Sequence, residues 1–272
     1  MSEHADKVLH LGLNPSEAAT SPYARFFKPE MESLPENVRE ALATGALAHE
    51  LLPTVEYAGE LQAPGYWPVE TGYTLGSDGS ARVFVLSPMP GVTPAMWDWW
   101  FVWHGSSGQR YKLWHPQAHV DVRWQDGRDD LDYYIGRVSN VVEYVGSVRM
   151  NVAIRFVSPS VLGFDEQRLV SSGELAVCAR VGLAGAPIET GWLVHHIRPV
   201  PGGSEMRTRI WLGGANVRPR GMPGAIGAWL GRTASRLQPI TVTQVEQLMV
   251  HDAHEMGHLA AILPQLYETF KT

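Results

Sequence analysis

The spacing of hydrophobic and polar residues changes near residue 67. Before this point the chain predicts helix: Pro35 begins a segment over residues 35–42, Gly45 ends it, and a further helical turn is predicted over residues 46–52. After it, short apolar runs separated by turn residues are typical of β-strands. These strands are predicted over residues 72–75, 82–86, 110–114, 141–145, 148–157, 174–181, 191–199 and 205–212.

Two helices and one long connection complete the predicted elements. Thr93 followed by Pro94 is typical of a helix start, and the short helix that follows is rich in tryptophan. Residues 213–239 are rich in Gly and Pro, which predicts a long, partly ordered loop and a candidate lid. A final helix is predicted over residues 243–270.

The order of these elements predicts an α+β protein. A curved antiparallel sheet wrapped around one long C-terminal helix encloses a cavity, which is the helix-grip arrangement of Bet v 1-like proteins. In this prediction residues 67–272 form the helix-grip domain. Residues 1–66 form a smaller, mainly helical part that serves packing or a dimer contact, so a homodimer is expected.

Composition and charge narrow the class of protein. The 272 residues are 44% hydrophobic, which is enough for a sizeable core, and the net charge is -6 without a basic patch. Nucleic acid is therefore not expected as a partner. Cys178 is the single cysteine, which excludes an internal disulfide, and its apolar neighbours predict a buried thiol in a strand. The polar N-terminus and the lack of a long apolar run predict a cytoplasmic protein that does not enter a membrane.

A dense group of potential metal ligands lies at residues 251–258, within the final predicted helix. This grouping indicates a divalent metal, zinc by preference, and therefore an enzyme. In one interpretation His254 and His258 bind the metal as an H-E-x-x-H protease motif. In the other, His251 and Glu255 bind it, because they also lie four residues apart on one helical face.

The end of the chain argues against a zinc protease. Such proteases take a third ligand from beyond the second histidine. After His258 the chain contains no His, Asp or Cys, and its only Glu is Glu268, on the same predicted helix. Ala261 and Pro264 stand where the extended protease pattern has Gly and His. The remaining ligands are therefore expected upstream, and the protease stays an alternative.

Histidines and one strand carboxylate are the upstream candidates. Glu143 lies in an otherwise apolar predicted strand, and a carboxylate that faces a cavity needs a charge partner such as a metal. Strand alternation also allows Glu143 to face water. His195 and His196 are adjacent in a predicted strand, so only one of them reaches the cavity. The other candidates are His104, His115 and His119.

Several sequence blocks resemble the 2,4-diacetylphloroglucinol hydrolase family, which includes phloretin hydrolases. The blocks are WWFVWHG at 99–105, RYKLW at 110–114 with His119, VEYVG at 142–146, GSEMRTRIWLG at 203–213, and residues 251–264. Together they extend from about residue 67 to the C-terminus. The resemblance implies a Bet v 1-like domain preceded by a small helical part, and a zinc-dependent hydrolysis of a carbon–carbon bond.

The resemblance also implies the metal ligands. The family uses two His and two Glu, one pair of which is spaced four apart on the last helix. These ligands fall on His119, Glu143, His251 and Glu255 of this chain, and Glu255 is expected to serve as a proton acceptor as well.

Two further residues are expected to act on phenol oxygens. The family's active-site tyrosine falls on Tyr111, and a polar histidine falls on His195 or His196, of which His196 is favoured. The family's second pocket tyrosine falls near Ile210, so this chain lacks one phenol-binding hydroxyl. The substrate is therefore expected to differ from 2,4-diacetylphloroglucinol itself. Further substrate-binding roles are predicted for Trp100, Trp103, His115, His195 and His254, although core packing is expected for at least one of the two tryptophans.

The predicted reaction removes an acyl group from a polyhydroxylated aromatic ketone, which is the expected small-molecule partner. Protonation of the ring carbon that bears the acyl group gives a keto tautomer, water attacks the acyl carbonyl, and the ring departs as a phenolate. The alternative from another class is a metal-free helix-grip protein that binds hydrophobic aromatic ligands. Its histidines would serve only as hydrogen-bonded core residues.

Overall fold

A long C-terminal helix and the sheet that curves around it dominate the computed structural model. The structure describes residues 12–129, 133–222 and 224–271. The polar N-terminus, from which a cytoplasmic protein was predicted, lies in residues 1–11 and therefore outside the described residues. None of the described helices is both long and apolar enough to cross a membrane.

The described residues contain seven α-helices and nine strands, and three of the helices lie between strands. The helices are α1 (Pro15–Thr20), α2 (Glu36–Thr44), α3 (Pro94–Trp103), α4 (Gly108–Trp114), α5 (Glu166–Ser172), α6 (Gly224–Leu237) and α7 (Val242–Phe270). The strands are β1 (Gly72–Leu75), β2 (Ala81–Pro90), β3 (His119–Trp124), β4 (Val138–Val145), β5 (Val148–Val157), β6 (Leu175–Leu183), β7 (Ile188–Val200), β8 (Gly203–Leu212) and β9 (Arg218–Pro219).

The strands form one antiparallel sheet. Its order is β1-β2-β8-β7-β6-β5-β4-β3, and β9 pairs with β7. Register shifts between His119 and Asp121 and between Val181 and Gly182 mark irregularities that bend the strands locally. With α7 against its concave face, this sheet is the helix-grip fold that the order of elements predicted.

Alternation along the strands assigns each side chain to one face of the sheet. On β7, Ile197 packs in the same apolar cluster as Met256 and Leu263 of α7. Val194 points the other way and packs with Leu61 of the N-terminal part. Cys178 of β6 is buried in this second cluster, as predicted. The core therefore has two layers, with the sheet between them.

The final helix matches its predicted span closely. Thr241 accepts a hydrogen bond from the backbone N–H of Gln244, and the Gln244 side chain accepts one from the backbone of Thr241. This capping box fixes the start of α7 just before the predicted residue. Pro264 lies inside α7, yet the helix continues to Phe270.

The predicted strand over residues 110–114 is wrong, because these residues belong to α4. Tyr111 and Leu113 alternate with polar residues, which suggested a strand. Trp114 is buried as well, however, and residues 111 and 114 share one face of a helix rather than of a strand. A strand that the sequence did not predict, β3, begins only at His119.

The predicted loop over residues 213–239 is also wrong in part, because it contains β9 and the long helix α6. Ile226, Trp229 and Leu230 recur at helical spacing in α6 despite the glycines around them. The close approach of Gly231 to the carbonyl of Val217 leaves no room for a side chain. The lid role of this segment and the dimer role of residues 1–66 stay predictions.

Glu70 organises a buried ion cluster on the convex face of the sheet. Its carboxylate accepts hydrogen bonds from Arg207, at 2.6 Å for Nη2 to Oε1, and from Arg209. Burial opposes ionisation of Glu70, but the hydrogen bond from Arg207 and the charge of Arg209 outweigh it and lower its pKa. Both guanidinium groups are buried, so they depend on this one carboxylate.

Replacing Glu70→Gln is expected to lower the free energy of unfolding by about 3 kcal/mol, because two buried cations lose their counter-ion. Urea denaturation followed by circular dichroism measures the change. The matched control is Glu36→Gln, whose partner Arg39 is exposed, and a loss below about 0.5 kcal/mol is expected there. Equal losses in the two variants would contradict the buried ion cluster.

Candidate functional site

A cavity of about 470 Å³ lies between α7 and the concave face of the sheet. Much of its wall is apolar and comes from β4 to β8. The apolar side chains include Val152, Ile154, Phe156, Val181 and Leu193. Ala234 and Ser235 of α6 also line it, so α6 borders the cavity. The cavity has the size and lining expected for a small aromatic ligand.

Two neighbouring strands bring the first pair of candidate ligands together. His119 is the first residue of β3, and Glu143 is its direct partner on β4. Opposite residues in an antiparallel pair lie side by side on the same face. The irregularity that follows His119 lets this pair face α7 while the rest of β3 follows its own register.

The second pair comes from α7. His251 and Glu255 lie one turn apart, with 3.7 Å between Nε2 and Oε2. His119 Nε2 lies 3.2 Å from Oε2 of Glu255 and 3.7 Å from Oε2 of Glu143. His251 Nε2 lies 4.0 Å from Oε2 of Glu143. The four predicted ligand side chains therefore meet at one point on the cavity wall.

The hydrogen bond of His119 decides which nitrogen is free to bind. Nδ1 lies 3.0 Å from the carbonyl oxygen of Tyr111, and a carbonyl oxygen only accepts. Nδ1 therefore carries the hydrogen, and Nε2 of the neutral ring presents a lone pair. Nε2 is buried without a hydrogen-bond partner among the described residues. Such an orientation is typical of a metal-binding histidine.

Tyr111 connects this histidine to the opposite carboxylate. Its ring stacks on His119 with 3.7 Å between centroids and 5° between planes. Its hydroxyl donates a hydrogen bond to Oε2 of Glu143. Burial and the carboxylates of Glu143 and Glu255 raise the pKa of Tyr111, so the hydroxyl keeps its proton. Tyr111 thus lies beside the ligand cluster and also lines the cavity.

The electrostatics of the cluster favour a proton or a metal ion between its ligand atoms. Burial lowers the pKa of His119 to about 4, so its ring is neutral. Burial, opposed by His251 and assisted by the nearby Glu143 carboxylate, raises the pKa of Glu255 to about 8. A lone pair and two carboxylates that face one another repel unless a proton or a metal ion lies between them. Two imidazole nitrogens and two carboxylates suit a divalent ion such as zinc.

His115 and His254 do not line this cavity, where their predicted substrate-binding role would place them. Both lie in a separate surface groove of about 500 Å³, on the other side of His251. The ring of His115 stacks on His251 at 4.9 Å. His115 leaves the cavity because it ends helix α4 rather than continuing a strand.

The H-E-x-x-H interpretation is not supported by the placement of its histidines. Among the described residues, the group whose ligand atoms lie close enough together to hold a metal ion is His119, Glu143 and His251. His254 lies in the outer groove, and His258 is buried with both ring nitrogens unpaired. The zinc-protease alternative therefore fails on geometry.

His195, and not His196, faces the cavity, so the predicted pocket position of His196 is wrong. Nδ1 of His195 lies 2.9 Å from the hydroxyl of Thr208, and the ring lines the cavity wall. His196 faces the convex side, where its Nε2 donates to Glu174 at 2.8 Å. Alternation required that only one of the two reach the cavity, but it did not say which.

Trp100 and Trp103 are core residues, which corrects their predicted place in the substrate slot. Trp103 stacks on Trp99 at 4.8 Å and packs against Phe270 at the end of α7. Trp100 is fully buried and stacks on His104. The aromatic side chains that line the cavity from this region are Phe101, His104, Tyr111 and Trp114.

Asp252 is a cavity residue to which the sequence analysis assigned no role. It is buried and lines the cavity close to Thr208, the partner of His195. Its position shares a helical face with Val245, Leu248 and Glu255, which also line the cavity. Heptad spacing along α7 could have identified it, whereas the search for ligand pairs four apart could not.

Comparison with known proteins identifies relatives over nearly the whole chain. The family model described as DAPG hydrolase PhiG domain matches residues 51–268. A 2,4-diacetylphloroglucinol hydrolase from Pseudomonas sp is 32% identical, over 95% of this chain and 92% of its own length. The phloretin hydrolase of Eubacterium ramulus is 27% identical, over 90% of this chain and 89% of its own length.

Solved structures show a more distant likeness. The major latex-like protein 151 of Panax ginseng is 9% identical, with 60% of this chain and 99% of that protein covered and a TM-score of 0.31.

Removing His251 or Glu255 is expected to abolish metal binding. His251→Ala deletes a nitrogen ligand, and Glu255→Gln deletes a charged oxygen that lies near both histidines. Glu143→Gln is expected to weaken zinc binding by at least about tenfold, because a carboxylate at the centre is lost. Zinc content after dialysis against a graded chelator measures each effect.

His254→Ala is the matched control for these variants, because it removes an imidazole from the same helix but outside the cluster. Full zinc content is expected in this variant. Zinc loss in His254→Ala together with zinc retention in His251→Ala would refute the ligand assignment.

Proposed function

The chain belongs to the 2,4-diacetylphloroglucinol hydrolase family, and we propose that it is a zinc-dependent hydrolase of the aryl–acyl carbon–carbon bond in acylphloroglucinol-type ketones. The observation that carries this proposal is the meeting of four ligand side chains on the wall of an apolar cavity. The sequence relationship supplies the reaction class.

The reaction defines what the site must provide. One water adds its hydroxyl to the acyl carbon and supplies a proton to the ring carbon. The electron pair of the broken carbon–carbon bond stays with the ring, so the products are a carboxylic acid and the deacylated phenol. The difficult step is the departure of the ring, which requires stabilisation of its phenol oxygens.

The chain has residues for both ends of such a substrate. The apolar walls of β5 to β7 suit the ring, and Tyr111 and His195 lie on the same cavity for its oxygens. The Tyr111 proton is held at Oη by its hydrogen bond to Glu143, so Oη accepts from a phenol hydroxyl. Nε2 of His195 is the ring nitrogen left for the substrate, because Nδ1 is bonded to Thr208.

His119, Glu143, His251 and Glu255 would hold the zinc ion. When bound, zinc supplies a Lewis acid next to the acyl carbonyl and the attacking water. Glu255 would act as the proton acceptor. Of the two carboxylates, its oxygen lies nearer to His119, so it is the one best placed to accept a proton from water.

Ile210 bears on the identity of the substrate. It lines the cavity where the family resemblance implies a second tyrosine. An isoleucine removes one hydroxyl partner and adds apolar surface. We therefore propose a related acylphloroglucinol, with fewer or differently placed ring hydroxyls, as the preferred substrate.

Zinc-loaded protein is expected to convert acylphloroglucinols to the deacylated phenol and one equivalent of carboxylic acid. Chromatography of both products over a panel of acyl groups measures the reaction. Chelation is expected to abolish turnover, and added zinc is expected to restore it. Tight binding of the ketones without zinc and without turnover would instead identify a non-catalytic aromatic-binding protein.

Tyr111→Phe removes one hydroxyl and little volume, so the fold and the zinc content are expected to survive. If Tyr111 Oη holds a phenol hydroxyl of the substrate in place for the departure of the ring, kcat should fall on the order of 10²-fold, with a smaller change in KM. Steady-state kinetics on the best ketone measures the change.

Tyr144→Phe is the matched control for Tyr111→Phe. Tyr144 follows Glu143 directly but lines the outer groove and not the cavity. Wild-type kinetics are expected for this variant. Equal kcat losses in the two variants would refute a specific role for the Tyr111 hydroxyl.

A further inference from the structure

His104 is a buried polar residue of the cavity wall that lies outside the ligand cluster. It follows α3 directly, and its ring is held between aromatic neighbours. The ring stacks on Trp100, with 5.1 Å between centroids and 12° between planes. Its distance to the ring of Tyr111 is 6.1 Å. The orientation of the imidazole is therefore fixed by packing.

One hydrogen bond fixes the polarity of this imidazole as well. Nδ1 lies 2.7 Å from the carbonyl oxygen of Trp100. Because the carbonyl only accepts, Nδ1 carries the hydrogen. Burial lowers the pKa of His104 to about 4, so the ring is neutral and Nε2 presents a lone pair.

Nε2 has no hydrogen-bond partner in the part of the chain that the structure describes. This nitrogen is not fully enclosed by protein atoms, and the ring of His104 lines the cavity. The lone pair is therefore available to a ligand in the cavity. His195 differs, because its partner Thr208 is a hydroxyl that either donates or accepts.

We propose that His104 is a substrate-binding residue whose Nε2 accepts a hydrogen bond from a phenolic hydroxyl of the ketone. The proposal rests on the proposed function for its substrate and extends it to a selection among ring substituents. The Phe101 ring lies 5.9 Å from both His104 and His195, so these groups border one region of the wall.

The chemistry of an acceptor explains which ligands this wall selects. Tyr111 Oη and His104 Nε2 both accept, so they suit hydroxyl groups that still carry hydrogen. A methyl ether has no hydrogen to donate, and it would leave Nε2 unpaired in a desolvated wall. The structure thus favours free phenols over their O-methyl ethers.

Two substitutions separate binding from structure. In His104→Asn, the side-chain amide can still donate to the Trp100 carbonyl, but no acceptor replaces Nε2. In His104→Gln, the side-chain oxygen can replace Nε2, but the donor to the carbonyl is lost. A binding role and a purely structural role therefore predict opposite orders for the two variants.

For a binding role, His104→Asn should raise KM by about tenfold, the size of one neutral hydrogen bond, with little change in kcat. His104→Gln should stay within about threefold of the wild type. Both should retain zinc. Near-normal KM in His104→Asn with a higher KM or a lower melting temperature in His104→Gln would overturn the proposal and assign His104 a structural role.

Methyl ethers complete the test. Calorimetry compares the binding of 2,4,6-trihydroxyacetophenone with that of its mono-O-methyl ethers. At least one ether should bind the wild type about tenfold more weakly, and this difference should disappear in His104→Asn. An unchanged difference in the variant would overturn the proposal.

These outcomes separate the two proposals. A zinc-loaded wild type that binds the phenols but fails to turn over any acylphloroglucinol would refute the proposed function, while the binding comparison still tests His104. Normal turnover with equal phenol binding in the wild type and His104→Asn would refute only the role of His104.

Discussion

The contact between the His119 lone pair and two carboxylates is the constraint on which the rest of the site depends. It requires that a strand pair and a helix, more than a hundred residues apart in the chain, meet within 4 Å. Without a proton or a metal ion between them, the lone pair and the two carboxylates repel one another at this desolvated point. A divalent ion would convert the same geometry into mutual attraction. The helix-grip fold provides the opposing force, because α7 is held against the sheet by the apolar clusters on both sides of the ligands.

The faces of α7 explain how one helix serves several purposes. Its apolar side chains hold it to the sheet, while Asp252 and Glu255 continue the same heptad spacing toward the cavity. His251 lies at the edge of this face and borders both the cavity and the outer groove. His254 lies three residues further along α7, which is just under one turn. It borders the groove but not the cavity. The H-E-x-x-H pattern therefore combines residues from two different faces of α7.

Much of the fold followed from the sequence, because hydrophobic spacing and turn residues act locally. The final helix, the hairpin of β1 and β2 and the strands β4 to β8 were predicted near their observed places. The errors lie where tertiary contacts decide. Alternation required one of His195 and His196 to face inward, but the phase of β7 is set by its neighbours, including Glu174 on the convex face. Trp100 and Trp103 were predicted in the substrate slot because a tryptophan-rich helix suits either a pocket or a core. The ligand set came from family resemblance, since spacing alone left two pairs open.

The mistaken strand at residues 110–114 has the deepest consequence for the site. A helix leaves the carbonyl groups of its last turn without intrahelical partners, whereas a paired strand would use them in the sheet. Tyr111 lies in the last turn of α4, and Trp100 lies in the last turn of α3, where its carbonyl oxygen also accepts from the backbone N–H of His104. Their carbonyl oxygens accept from Nδ1 of His104 and of His119. Both imidazoles thereby turn a lone pair toward the interior, one to the metal-binding cluster and one to the cavity. Two short helices thus set the polarity of the site through carbonyl groups near their C-terminal ends.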